Sequence, residues 1–212
     1  MKASNLIASN AFNELPVMPP YDFHSEILIR VKERLAAMCQ KHSQAFIMSM
    51  AVLYPAITCL ELTCDDEGQM DIAPPDNKLF SRWLADFIRY LKPYDPAYAW
   101  AREEAPDAPG RYHFHLALFM NGNLIQDPWP LLSKAQCYWA RTLGLDDASG
   151  LIHLCQPQND LSFHNNCFKL VRGSPDFQLK FNEAFCYLSY LAKTDSKSPI
   201  DGVRTFGCST LN

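Results

Sequence analysis

The chain has 212 residues, 48% of them apolar and 12% aromatic, which is enough for one domain with trimmings and excludes wholesale disorder. Its net charge of −4 excludes a general polyanion sponge. The charge is uneven. Residues 161–212 carry six Lys/Arg (169, 172, 180, 193, 197, 204) against four Asp/Glu, a balance of +2 that leaves −6 on residues 1–160. The eight cysteines are scattered without a C-x-x-C pair, arguing against a zinc ribbon or a disulfide framework. With no secretory signal in Met1–Asn10 and an apolar run at Ala45–Leu60 that is broken by Pro55, a cytoplasmic chain with no membrane span is expected.

In chain order, residues 1–20 are polar and proline-spotted and read as an arm. From Asp22 or Ser25 to about Gln40, Ile27, Leu28, Val31, Leu35 and Met38 recur at helical spacing. Phe46–Tyr54 reads as a buried strand stopped by Pro55. Asp65, Asp66 and Gly68 mark a turn, and Pro74-Pro75-Asp76 opens a second helix whose apolar face runs from Leu79 to Leu91. Tyr98–Glu103 and Tyr112–Met120 are strand candidates joined across Ala105–Gly110, a connection too long for a tight turn. Ser133–Leu143 reads as a helix and Leu151–Cys155 as a strand. Residues 156–176 read as loop, Phe177 or Gln178 to Lys193 as the last helix, and Val203–Cys208 as a final strand. This order predicts an α+β fold with a mainly antiparallel sheet. An N-terminal arm and helix over 1–44 and a single compact unit over 45–212 are expected.

Two stretches carry chemistry. On a strand, His113 and His115 face one way while Tyr112, Phe114, Leu116 and Leu118 face the other. Two imidazoles so placed can reach one divalent ion, and the acidic pair Glu103-Glu104 on the partner strand offers a carboxylate. Which glutamate does so depends on register; Glu103 is preferred, with Glu104 as the alternative. Two histidines and one carboxylate leave positions open for a phosphate oxygen and water, which suits Mg²⁺ or Mn²⁺. His24, His42, His153 and His164 have no comparable partners. The second stretch is Tyr187-Leu188-Ser189-Tyr190-Leu191-Ala192-Lys193. On a helix Tyr187 neighbours Tyr190, and Tyr190 neighbours Lys193. A phenol with a pKa of about 10 is a poor nucleophile at neutral pH until a metal or cation stabilises its anion.

These residues resemble the HUH endonucleases of rolling-circle replication, relaxases and related transposases. His113-Phe114-His115 is similar to their His-apolar-His strand motif, and the run from Tyr187 to Lys193 to their tyrosine motif, with Tyr190 as the attacking residue. Phe46–Tyr54 corresponds to a less specific first motif. A closer resemblance is to the inovirus-type replication proteins, a family also named for the YagK/YfjJ C-terminal domain. It rests on Trp100-Ala101-Arg102-Glu103 leading into His113-Phe114-His115, on Ser189-Tyr190-Leu191-Ala192-Lys193-Thr194, and on Arg204-Thr205-Phe206-Gly207.

The resemblance implies a five-stranded antiparallel sheet related to RNA-recognition and ferredoxin-like folds, flanked by helices. It implies a metal-dependent, site-specific nickase and ligase for single-stranded DNA that works through a 5′-phosphotyrosine. Tyr190 and Lys193 would be catalytic, and His113, His115 and Glu103 would hold the metal. Relatives with two catalytic tyrosines space them by four residues, whereas Tyr187 and Tyr190 are three apart, so Tyr187 is assigned an auxiliary role. Arg204 and Lys197 would contact DNA. The implied partners are single-stranded or hairpin DNA at a phage- or plasmid-type origin and, with no P-loop visible here, a host helicase and polymerase. The competing expectation is a non-catalytic origin- or hairpin-binding prophage protein that retains the fold.

Overall fold

The computed structural model describes residues 6–7, 10–55, 63–64, 70–71, 76–105, 108–125, 127–155, 167–195, 197 and 201–211. The chain opens with short strands β1 (Leu6–Ile7), β2 (Ala11–Phe12), β3 (Leu15–Pro16) and β4 (Phe23–His24). Helix α1 (Ser25–Lys41) leads to β5 (Gln44–Leu53), and the two-residue strands β6 (Thr63–Cys64) and β7 (Met70–Asp71) pair with each other. Then come α2 (Lys78–Leu91), β8 (Ala97–Ala105), β9 (Ala108–Asn121), α3 (Trp129–Leu143), β10 (Ile152–Leu154), β11 (Cys167–Val171), α4 (Phe177–Leu188) and β12 (Phe206–Cys208). The fold is α+β, built on a mainly antiparallel sheet.

The sheet runs β10–β5–β9–β8–β12, with β11 also on β5. β10 takes Met50–Val52 of β5 and β11 takes Gln44–Met48, so six strands occupy five positions. β11 falls in the span that reads as loop from sequence. At five residues it is too short to show a period firmly, but Phe168 and Leu170 alternate inward onto the helical layer of α1 and α4. The β8–β9 connection is also tighter than its composition suggests. Ala105 pairs with Ala108 after a register irregularity at Glu104/Ala105, so the ladder runs through much of the expected loop. Helix α3 starts four residues before the expected Ser133, because Pro130 fits a first helical turn and the Asp127 carboxylate accepts the Trp129 N–H at 3.0 Å. The Asp65–Gly68 turn, Pro74-Pro75 and residues 156–166 lie outside the described residues.

Strand alternation splits the core in two. Phe46, Met48, Met50, Val52, Trp100, Phe114, Leu116 and Leu118 face α2 and α3, where Phe80 stacks on Phe114 at 3.8 Å between ring centroids. Ala45, Ile47, Ala99, Ala101, Ala117 and Phe119 face α1 and α4. Alanines at the centre of this second face keep it shallow, so α1 and the segment after α4 can approach the backbone closely. The same face continues past Ala101 and Ala117 to Glu103, His115 and His113, beyond the main helical cover. Among the described residues no helix is long and apolar enough to cross a membrane.

Candidate metal and tyrosine site

Glu103 pairs with His113 across the β8–β9 ladder, and Ala101 with His115, so one carboxylate and two imidazoles project from the same sheet face. Glu104 pairs with Tyr112 on the opposite parity. Register therefore selects Glu103. The Nε2 atoms of His113 and His115 are 3.1 Å apart, and Glu103 Oε2 lies 3.5 Å from His115 Nε2 and 4.0 Å from His113 Nε2. Adjacent ligands of a metal at about 2.1 Å are separated by roughly 3.0–3.4 Å. The His113–His115 and His115–Glu103 spacings already lie at or near that range, the His113–Glu103 pair has to close by about 0.6 Å, and this group can hold a metal ion.

The protonation states suit ligation. Burial pulls the His115 imidazole down to about 3, against the pull of Glu103, and it lowers His113 as well. Both rings are therefore neutral at pH 7, with a lone pair to give. With Nε2 facing the group, His115 Nδ1 lies 3.5 Å from the Cys155 sulfur, which burial keeps as a thiol by pushing it up to about 12. Burial raises the Glu103 carboxyl, but His115, Lys197 and Lys193 outweigh it and hold it below the usual range.

Glu103 is only 1% exposed and carries two ammonium partners, Lys193 at 2.9 Å and Lys197 at 3.4 Å. Lys193 also donates to the Tyr190 hydroxyl and lies 3.8 Å from the centre of that ring. Burial lowers the Lys193 ammonium pKa, yet Glu103 and Tyr190 together leave it above its ordinary value. Burial pushes the Tyr190 phenol up while the Lys193 hydrogen bond pulls it back, and the net shift is upward. The Tyr190 ring stands edge-on to His115 at 5.1 Å. The nucleophile candidate, its cation and the three ligand candidates thus meet around one cleft of about 520 Å³.

Two sequence-predicted residues stand elsewhere. Tyr187 donates its hydroxyl to the Cys155 carbonyl at 2.7 Å and packs on Phe168, and burial raises its pKa. Tyr187 lies in the last turn of α4, which ends at Leu188, whereas Tyr190 lies in the 3-10 turn Ser189–Ala192 that follows. Lys197, expected to meet DNA, turns inward instead. Its ammonium donates to the Lys193 carbonyl at 2.5 Å and sits on Glu103 with 3% of its side chain exposed, so it offers nothing to a passing strand. Arg204 is exposed, and its carbonyl accepts from Asn77 at 2.7 Å.

The cleft also collects residues the sequence did not single out. His153, on β10, is exposed at the cleft, opposite Ala51 and so in line with His115 across the sheet. Arg111 and Tyr112 stand on its rim, and Tyr21 touches Tyr190 from the N-terminal segment. Arg111 and Tyr112 directly precede His113 on β9, whereas His153 and Tyr21 arrive from elements distant in the chain.

The model of the YagK/YfjJ C-terminal domain matches residues 84–209, which include the β8–β9 hairpin, the Tyr190 turn and β12. The chain belongs to the YagK/YfjJ C-terminal domain family. It is similar to the uncharacterized protein YagK of Escherichia coli (strain K12), with 33% identity over 122 residues covering 53% of each chain. The chain thus spans about half the length of the curated relative it matches. The family match contains all five residues of the site: Glu103, His113, His115, Tyr190 and Lys193.

Proposed function

We propose that this chain is a metal-dependent, site-specific nicking and joining enzyme for single-stranded DNA, of HUH type, which initiates rolling-circle replication. The observation that carries the reading is the meeting of Tyr190, Lys193 and the Glu103–His113–His115 group in one cleft. Glu103, His113 and His115 would hold a divalent ion, Mg²⁺ or Mn²⁺, which when bound supplies Lewis-acid polarisation of the scissile phosphate.

The protein's own residues do the rest. Tyr190 Oη attacks the phosphorus in line, the P–O3′ bond breaks, and a 5′-phosphotyrosine forms beside a free 3′ hydroxyl. The phenol proton ends on the leaving 3′ oxygen, so atoms and charge balance. Lys193 lowers the barrier by donating to the phenol oxygen as it gains negative charge. Its own proton stays in place because Glu103 faces it at 2.9 Å. Lys197 keeps the Glu103 carboxylate oriented. One phosphodiester is exchanged for another, so attack by a 3′ hydroxyl on the phosphotyrosine reverses the step and rejoins a strand. Arg111 and Arg204, both exposed, offer charge to the DNA backbone despite the overall −4. The substrate is single-stranded or hairpin DNA at a phage- or plasmid-type origin in the cytoplasm, with a host helicase and polymerase supplying strand separation and synthesis.

The competing reading, a non-catalytic origin- or hairpin-binding protein, draws on one observation. Lys193 and Lys197 already satisfy Glu103, so the fold does not depend on a metal to neutralise that carboxylate. The two readings part on a denaturing gel. Incubation with labelled single strands of the cognate origin and Mn²⁺ is expected to give a covalent protein–DNA band that Tyr190→Phe abolishes. Metal-independent hairpin binding that survives His113→Ala and His115→Ala, with no covalent band on either origin strand, would replace the enzymatic reading with the binding one.

A further inference from the structure

The turn that carries Tyr190 and Lys193 is fastened on its outer side by residues 18–23, which lie well outside the family match at 84–209. The Met18 N–H donates to Ser189 Oγ at 2.9 Å, and Ser189 in turn donates to the Cys186 carbonyl at 2.6 Å. The Thr194 N–H donates to the Asp22 carbonyl at 3.0 Å. Between these ties Phe23 and Lys193 form an antiparallel bridge, and the Phe23 side chain is wholly buried under α1 and the turn. Tyr21 sits within this clasp. Its ring stands nearly perpendicular to that of Tyr190, at 85° with centroids 5.7 Å apart, and the Lys193 ammonium lies 5.5 Å from its centre. Tyr190 is thus contacted by His115, Lys193 and Tyr21 together.

This arrangement answers a mechanical problem. A 3-10 turn has weaker hydrogen-bond geometry than an α-helix and holds its side chains less firmly. An attacking phenol needs its oxygen within a narrow range of positions, and a displacement of about 1 Å can cost about 100-fold in rate. A ring packed perpendicular to that of Tyr190 limits the rotamers open to it. Ring-to-ring packing needs the aromatic edge, not the Tyr21 hydroxyl.

We propose that residues 18–23 form a brace of the site, with Tyr21 as the positioning residue that sets the Tyr190 ring against His115 and Lys193. The proposal deepens the nicking reading and rests on it. It also gives the N-terminal segment a role in the chemistry of the matched domain.

The test compares single-turnover adduct formation by the full chain at saturating single-stranded origin oligonucleotide with Mn²⁺, alongside affinity for the same oligonucleotide. Tyr21→Phe keeps the ring and is expected to stay within about twofold of wild type, whereas Tyr21→Leu and Tyr21→Ala slow the saturated rate about 10- to 100-fold with affinity unchanged. A second readout needs no turnover: tyrosine-labelled protein is expected to show a nuclear Overhauser contact between the Tyr21 and Tyr190 rings. It is also expected to show a shift of the Tyr190 ring signals in Tyr21→Leu. Full activity of Tyr21→Leu overturns the proposal, as does a loss that appears only as weaker DNA affinity. If wild type forms no adduct, the nicking reading fails and the brace is decided by the ring contact alone, whose absence overturns it and whose presence upholds it.

Discussion

The Lys193 ammonium lies 2.9 Å from a Glu103 carboxylate oxygen that solvent scarcely reaches. The same ammonium donates to Tyr190, so this one cation joins the ligand group to the phenol. A buried carboxylate with two ammoniums is strongly coupled, because removing one member strands the others in a poorly solvated place. Glu103→Gln is therefore expected to lower the unfolding free energy by about 3 kcal/mol or more. It should also abolish divalent-ion binding. Urea denaturation and metal titration of the same sample measure both effects.

The second prediction concerns pH. The His115 imidazole titrates at about 3 in the fold against 6.5 as a free side chain, chiefly through burial. Between those values the unfolded chain binds a proton that the folded chain refuses. The stability contributed is therefore complete above 6.5 and is lost as pH falls toward 3, by up to about 1.4 kcal/mol per pH unit for this one group. Denaturation of chelator-treated protein from about pH 7 to about pH 4.5 should show the decline, and His115→Gln should make it shallower, with the part due to His113 remaining.

The third prediction separates the two tyrosines. Tyr187 donates to a backbone carbonyl away from the phenol–lysine pair, so Tyr187→Phe should cost about 1–2 kcal/mol of stability and leave covalent adduct formation within a few-fold of wild type. Tyr190→Phe should do the reverse, keeping the thermal midpoint within a few degrees while ending adduct formation. Thermal melts and denaturing gels on the two variants test this pair of outcomes.

A fourth follows from β12. A Cβ on Gly207 would lie 2.6 Å from two carbons of the Trp100 ring, so the strand can pack there only as glycine. Gly207→Ala should destabilise by about 1–3 kcal/mol, visible as a lower melting temperature. The contact gives a packing reason for the glycine in the Arg204–Gly207 run that the sequence singles out.

Parts of this site are legible in the sequence because they are local. The period of two on β9 puts His113 and His115 on one face and Phe114, Leu116 and Leu118 in the opposite core. Three-residue spacing puts Lys193 near Tyr190, and the 3-10 turn that replaces the expected α-helix keeps that spacing in register. The choice of Glu103 over Glu104 needs register, and a single-residue slip would exchange them. Lys197 is expected at the DNA because its place after the Tyr190 turn says nothing about which way the segment points; a buried carboxylate on β8 turns it inward. Tyr21 and His153 are invisible for a simpler reason. Their partners lie on elements far away in the chain, and no local pattern encodes such contacts.

In the proposed reaction the Tyr190 oxygen, and no other nucleophile, takes the DNA 5′ phosphate. The direct measurement is tandem mass spectrometry after reaction with single-stranded origin DNA and Mn²⁺, nuclease trimming and trypsin. Cleavage after Lys180 and Lys193 releases one peptide that contains both Tyr187 and Tyr190. A nucleotide 5′-phosphate is expected on that peptide, with fragment ions placing it on Tyr190. A phosphate on Tyr187 or on any other residue, or an unmodified peptide on cognate DNA, would contradict it.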